Sequence, residues 1–227
     1  MKIVITGCSS GIGRRLSSYL SNKHKIFGIS RKKITTKKFK SFSCDILKIE
    51  QIQDTFKKIK NFDVLINCAG ISHFSTDKII NFDQIIKTNL NAPFHTSSAA
   101  VNFIKNSSNP SIINISSING HLAFPNNPGY IASKGGLISL TRSLAYDLAK
   151  YKIRVNCVSP GYIKEGMTLK SYNDPKKRIK RQNRTMLKRW GKVEDLFGII
   201  DYLISNKSKY VTSQDFIVDG GWTFKGI

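Results

Sequence analysis

Acidic residues are scarce in this 227-residue chain: 14 Asp and Glu stand against 37 Lys and Arg, for a formal net charge of +23 at neutral pH. Proline is sparse at six, and no long Pro/Gly/Ser tract interrupts the chain. With 40% hydrophobic residues, a disordered or linker-rich protein is excluded. No apolar run approaches the roughly 18 residues that a bilayer-spanning helix needs. A strand-like run starts at Lys2, directly after Met1, which leaves no room for a signal peptide, and a cytoplasmic location is expected. Cys8, Cys44, Cys68 and Cys157 form no C-x-x-C pair, and no His/Cys cluster has zinc-ligand spacing. Reduced thiols and no metal site are expected.

The excess of positive charge has two readings. One is a polyanionic partner, nucleic acid or an anionic membrane; the other is a lysine-rich background spread over every solvent face. The lysines fall in most expected helices and loops and do not alternate with stacking aromatics, so neither a nucleic acid nor a membrane partner is expected.

Length and composition suit one domain over 1–227. Apolar runs predict strands at 2–6, 25–30, 39–44, 62–67, 111–115, 154–158 and 215–218. Helical patterns fall at 14–22, 48–60, 83–105, 130–151 and 193–205. Only a short basic loop separates the second and third strands, so the crossover helix there is expected to be truncated or missing. Strands alternating with helices imply an α/β fold, a doubly wound and mostly parallel seven-stranded sheet with helices on both faces. In such sheets ligands bind beyond the carboxyl ends of the strands.

The residues at those ends carry the chemistry. Between the first strand and first helix runs Gly7-Cys8-Ser9-Ser10-Gly11-Ile12-Gly13, whose glycines allow a tight turn and a close approach of a diphosphate to backbone N–H groups. Ser30 and Arg31 end the second strand, where an acid would bind a ribose 2′-hydroxyl and a basic residue suits a 2′-phosphate. NADPH is therefore expected in preference to NADH. Asp45 and Ile46 follow the third strand, and Asn67-Cys68-Ala69-Gly70 the fourth. Asn89, polar among Ile85, Ile86, Leu90 and Phe94, either kinks its helix or belongs to a polar site. Ser117 follows the fifth strand, and Pro160-Gly161-Tyr162-Ile163 the sixth.

Tyr130 and Lys134 are four residues apart, which on a helix puts both side chains on one face. An ammonium there is expected to lower the phenol pKa from its usual value of about 10 and make it a general acid or base. From 164 to about 190 the chain is polar and basic and reads as a lid over the site. It carries Lys176, Lys177, Arg178, Lys180, Arg181, Arg184, Lys188 and Arg189. They either recognise an anionic or carrier-bound substrate or form a solvated surface helix.

Taken in order, these motifs resemble the short-chain dehydrogenase/reductase family over nearly the whole chain. The stretch from Thr6 to Gly13 is similar to the family's cofactor glycine motif, Asp45 to its adenine-contacting aspartate, and Asn67-Cys68-Ala69-Gly70 to its N-N-A-G motif with cysteine in second place. Asn89, Ser117, Tyr130 and Lys134 match its catalytic tetrad, and Pro160-Gly161 its P-G motif. The resemblance implies a Rossmann fold and reversible hydride transfer between NAD(P) and a carbonyl or secondary alcohol. A 3-oxoacyl ketoreductase is one form this would take, and a homodimer or homotetramer is the usual assembly. It implies that Tyr130 exchanges the proton, Lys134 lowers its pKa and binds the nicotinamide ribose, Ser117 donates to the substrate oxygen, and Asn89 holds a water that resupplies protons. Thr6, Gly7, Ser9, Ser10, Gly11, Ile12, Gly13, Ser30, Arg31, Asp45, Ile46, Asn67, Ala69, Gly70, Tyr130, Lys134, Pro160, Gly161 and Ile163 would contact the cofactor. One departure is Glu165, where such proteins commonly carry a threonine at the cofactor; an acid there should point outward or sit on a rearranged loop. The alternative of another class is a non-catalytic dinucleotide sensor or nucleic-acid-binding protein on the same fold.

Overall fold

The computed structural model describes residues 1–72 and 78–225. Seven strands, β1 (Lys2–Thr6), β2 (Lys25–Ser30), β3 (Lys40–Ser43), β4 (Val64–Asn67), β5 (Ser111–Ile115), β6 (Arg154–Pro160) and β7 (Asp215–Val218), form one sheet. Its order is β3-β2-β1-β4-β5-β6-β7, and every pairing is parallel. The inner strands are buried on both faces, which is why they read as unbroken apolar runs rather than alternating ones.

Alternate residues supply two cores. Ile3, Ile5, Val64, Ile66, Ile113 and Ile115 face Leu16 and Leu20 of α1 (Gly11–Leu20) and Ile200 and Leu203 of α8 (Phe197–Ile204). Val4, Leu65, Ile112 and Val155 face the other side. There they meet Ile52 and Phe56 of α2 (Ile49–Ile59), Ile104 of α4 (Ala92–Ile104), and Leu144 and Leu148 of α5 (Pro128–Leu148). The period of two in each strand thus builds both layers.

No helix joins β2 to β3; residues 31–39 cross in a loop, as their basic, non-periodic sequence predicts. Between 78 and 104 the expected helix is continuous but not uniform. It comprises α3 (Lys78–Ile86), a π-helical turn (Lys87–Asn91) and α4, with Asn89 inside the turn. Such turns often mark functional sites.

The lid is more structured than its sequence predicts. Short helices α6 (Leu169–Tyr172) and α7 (Pro175–Arg184) follow a 3₁₀ turn (Gly166–Thr168). Its two ends are tied together by Lys164 N–H donating to the Gly191 carbonyl at 2.8 Å. The Trp190 indole N–H donates to the Arg178 carbonyl at 3.0 Å, fixing α7 on that base. The chain leaves β1 for the β2–β3 side and returns to the β4 side, so the crevice lies at the carboxyl ends of β1 and β4.

Candidate active site

A cavity of about 670 Å³ runs along those carboxyl ends. One end is lined by Ser30, Arg31, Asp45 and Ile46, the middle by the 7–13 turn with Ala69 and Gly70, and the other end by Ser117, Tyr130 and Lys134. Gly7 has a φ of +76°, and a Cβ on it would lie 2.8 Å from the Ala69 Cα. A Cβ on Gly13 would lie 2.4 Å from the Gly7 carbonyl oxygen. Only glycine lets β1 turn this tightly into α1, whose first N–H groups lack intrahelical partners and suit an anion. An elongated cavity with this backbone cradle at its centre fits a nicotinamide dinucleotide.

Two residues assigned to the cofactor by sequence stand behind the wall. The Thr6 hydroxyl accepts from the N–H groups of Cys68 and Ala69 at 3.1 and 3.2 Å, tying β1 to the turn after β4. Asn67 is buried, donating to Ser97 at 3.0 Å and Asn114 at 2.9 Å and accepting from Thr96 at 2.7 Å. Neither side chain lines the cavity. Their motif is legible in sequence, but inward strand faces and partners on distant elements direct them into the scaffold. Arg31 is exposed at the mouth, whereas the neighbouring Ser30 hydroxyl already donates to the Lys32 carbonyl at 2.6 Å.

At the far end, Tyr130 and Lys134 share one face of α5, which packs on the turn after β5. A Cβ on Gly120 would lie 2.9 Å from the Lys134 carbonyl oxygen, so that glycine lets Ser117 approach the helix. The Ser117 hydroxyl lines the cavity beside Tyr130 and acts to lower the phenol's pKa. It also accepts from the Asn119 N–H at 3.2 Å, so the capping role and the site role coexist. Lys134 is buried, its ammonium donating to the Ile115 carbonyl at 2.8 Å and lying 5.6 Å from the centre of the Tyr130 ring.

The expected pKa effect is reversed in the free protein. Burial pushes the Tyr130 phenol up to about 12, with Ser117 acting against it and the neighbouring Tyr162 and Cys68 adding to it. Burial likewise takes Lys134 down to about 8, opposed by the Cys157 and Cys68 thiols. Both groups lose water in one cleft, and that loss is the largest cause of each shift.

Asn89 is fully buried and its side chain bonds to the protein on both ends of the amide. Its Oδ1 accepts from the Ile71 N–H at 2.9 Å, while its Nδ2 donates to the Ile71 carbonyl at 2.9 Å and to Ser133 at 3.1 Å. The side chain does not line the cavity; it clamps the turn after Gly70 against α5. Both Nδ2 protons are used in this clamp, while Oδ1 keeps a second acceptor position.

Glu165 lines the cavity rather than standing clear of it. It is half-buried on the cavity wall, its carboxylate accepting from the Gly166 N–H at 3.2 Å and capping the 3₁₀ turn. A Cβ on Gly166 would lie 3.2 Å from the Gly11 Cα, which brings this loop down on the glycine turn. Thr168, three residues on, also lines the wall, but its hydroxyl donates to the carbonyls of Ile163 and Glu165.

Sequence reasoning missed Ser72, Gln84, Thr88, Asn127 and Thr168 as wall residues. Only Asn127, just before Pro128 at a helix start, carried a local signal; the others depend on which loops meet. Tyr162 was placed at the strand end, and it faces the cavity between Phe124, Trp190 and Trp222. Of the lid's cations, Arg181 lines the cavity. Among the described residues no helix is long and apolar enough to cross a membrane, and no group of His, Cys, Asp and Glu could hold a metal ion.

A family model described as enoyl-(acyl carrier protein) reductase matches residues 18–223. The 3-oxoacyl-[acyl-carrier-protein] reductase of Rickettsia typhi is 36% identical over 230 residues, covering 96% of this chain and 95% of that protein. Among solved structures, a candidate 2-deoxy-D-gluconate 3-dehydrogenase from Agrobacterium tumefaciens with bound NADP is similar. It superposes with a TM-score of 0.89 at 26% identity, covering 99% of this chain and 96% of that one. A 4-hydroxyisoleucine dehydrogenase complexed with NADH gives 0.85 at 30% identity over the full length of both chains.

Proposed function

The chain belongs to the short-chain dehydrogenase/reductase family and is an NAD(P)-dependent oxidoreductase, and from that premise we propose that Tyr130 is its general acid and base. The observation that carries this reading is the convergence of the Tyr130 phenol, the Ser117 hydroxyl and the Lys134 ammonium at one end of the cavity. When bound, the nicotinamide supplies or accepts the hydride. In reduction Tyr130 gives its proton to the carbonyl oxygen; in oxidation it takes the alcohol proton. Ser117 donates a hydrogen bond to the same oxygen and holds it within reach of the phenol. Lys134 stays protonated below about pH 8 and offsets the negative charge that builds on the phenolate as the proton leaves. Asn89 acts by position, holding Ile71 and Ser133 so that Gly70 and α5 keep their spacing.

Gly7, Ser9, Ser10, Gly11, Ile12 and Gly13 would hold the diphosphate, and Asp45 and Ile46 the adenine. Ala69, Gly70, Pro160, Gly161 and Ile163 would flank the nicotinamide half. Arg31 favours NADPH, since an exposed guanidinium at the ribose end suits a 2′-phosphate. A 3-oxoacyl group, carrier-bound or free, is the substrate class favoured by the sequence relatives. Residues 1–227 are read as a single domain with a lid at 164–190. Exposed Phe94 on α4 and Tyr146 on α5 support association through those helices, as a homodimer or homotetramer. The free thiols accord with a reducing, cytoplasmic setting.

The test is Tyr130→Phe, assayed for turnover of 3-oxo esters with NADPH alongside cofactor binding by calorimetry. Positioned acid–base catalysis contributes about 10²–10⁴-fold, so turnover should fall by at least about 10²-fold with cofactor affinity intact. Near-normal turnover ends the assignment.

A further inference from the structure

The eight cations between Lys176 and Arg189 are not equivalent. Arg189 pairs with Asp195 and Lys177 with Asp174, Arg178 lies over Tyr172, and Arg184 over Trp222. Arg181 alone of the eight belongs to the cavity wall, and it has no acidic partner among the described residues. Its guanidinium centre is 4.4 Å from the Tyr162 ring centre and 5.9 Å from that of Trp190. Stacking fixes the plane of the guanidinium while leaving its edge donors free for a planar oxyanion. One of them, Nη1, is shut off from solvent with no hydrogen-bond partner among the described residues. A buried donor left unpaired is costly, and such groups in native proteins call for a ligand or another explanation.

Two further wall atoms share that condition: Ser171 Oγ and Asn127 Oδ1 are buried and unpartnered among the described residues. Tyr162 lines the same cavity as Tyr130. Arg181, with Tyr162 packed on its guanidinium, thus lines the same cavity as the proposed proton-transfer residue. A hydroxyl or carbonyl at Tyr130 and an anionic group at Arg181 can belong to one small molecule.

We propose that Arg181 is the oxyanion-recognition residue of the substrate end of the cavity, and that the substrate carries a carboxylate or phosphate besides its reacting carbinol or carbonyl. This rests on the reading of Tyr130 as the reacting end. Ser171 adds a second donor and Asn127 an acceptor for a substrate hydroxyl. The anchored base of α7 holds the guanidinium in place through the Trp190 to Arg178 hydrogen bond.

Isothermal titration calorimetry tests the site without turnover, using the full chain with saturating NADPH, with which an alcohol cannot react. Three probes are titrated: 3-hydroxybutanoate, glycerol 3-phosphate, and methyl 3-hydroxybutanoate as the neutral match. At least one anion should bind saturably, and more tightly than the ester by roughly 10- to 100-fold, the usual size of a lost charge-assisted hydrogen bond. Whichever anion binds tighter identifies the group as carboxylate or phosphate. Arg181→Gln should abolish the preference for anion over ester, and Arg181→Lys should keep part of it. No saturable anion binding in the wild type, equal binding of ester and anion, or an unchanged preference in Arg181→Gln overturns the proposal. Anion binding lost in Arg181→Gln while Tyr130→Phe keeps full turnover leaves this site standing and removes the catalytic reading. The opposite pair of results does the reverse.

Discussion

The Lys134 ammonium lies 5.6 Å from the centre of the Tyr130 ring, one helical turn away on α5, and is held by the Ile115 carbonyl at 2.8 Å. The lysine is anchored to the end of β5, so the helix face carrying both residues is fixed against the sheet. Their separation is set by tertiary packing as much as by the spacing of four.

This arrangement predicts a pH profile with a shared break. Reduction needs the phenol protonated and Lys134 charged. With Tyr130 at about 12 and Lys134 at about 8, kcat/KM for reduction should be flat below pH 8 and fall about tenfold per unit above it. Oxidation needs phenolate and ammonium together. Its rate should rise about tenfold per unit up to pH 8 and then level, because each gain in phenolate is matched by a loss of ammonium. Lys134→Met should lack the break near pH 8 in both directions. A wild-type profile without that break, measured by absorbance at constant ionic strength, removes Lys134 from the chemistry.

Stability carries the same signature with its own sign. Lys134 titrates lower in the folded chain than its ordinary 10.5, so the unfolded state binds more protons between those values and stability rises with pH through that window. Tyr130 titrates higher than its ordinary 10.0, so its contribution falls from there toward 12. Relative to Lys134→Met, the wild-type Tm should climb by several degrees between about pH 7.5 and 9.5. A constant difference between the two melting curves contradicts the buried ammonium.

Arg31 is exposed at the ribose end of the cavity, with no acid beside it in the chain. Arg31→Ala should weaken NADPH binding by roughly 10- to 100-fold while leaving NADH within about twofold, since only the former has the 2′-phosphate. Direct titration of both cofactors decides it. Equal losses for the two would place Arg31 outside the discrimination.

Glu165 sits on the cavity wall where Gly166 packs down on Gly11, a position that brings a carboxylate toward the anion cradle. Glu165→Gln keeps the size and the capping acceptor but removes the charge. Affinity for either cofactor should rise by roughly 3- to 10-fold, and the gain should shrink in high salt. An unchanged affinity at low ionic strength places the carboxylate too far from the phosphates to matter.

Much of the fold was legible because it rests on local signals. Unbroken apolar runs marked the strands, glycines at 7, 11 and 13 marked the turn, and the short basic stretch after β2 marked a connection without a helix. The lid was less legible. Its polar, basic sequence hides α6 and α7, whose anchors are Tyr162, Tyr172 and Trp190, aromatic residues from three separate segments.

The sequence by itself determined the order of strands and helices, the backbone cradle and the identity of the groups at the strand ends, because these follow from periodicity and from what glycine alone permits. Tertiary structure decided which of those groups face the cavity. Thr6, Asn67 and Asn89 turn into the scaffold because their hydrogen-bond partners lie on distant elements. It also decided the direction of the Tyr130 pKa and the isolation of Arg181, since desolvation and the lack of a counter-charge arise only when segments far apart in the chain close around a group.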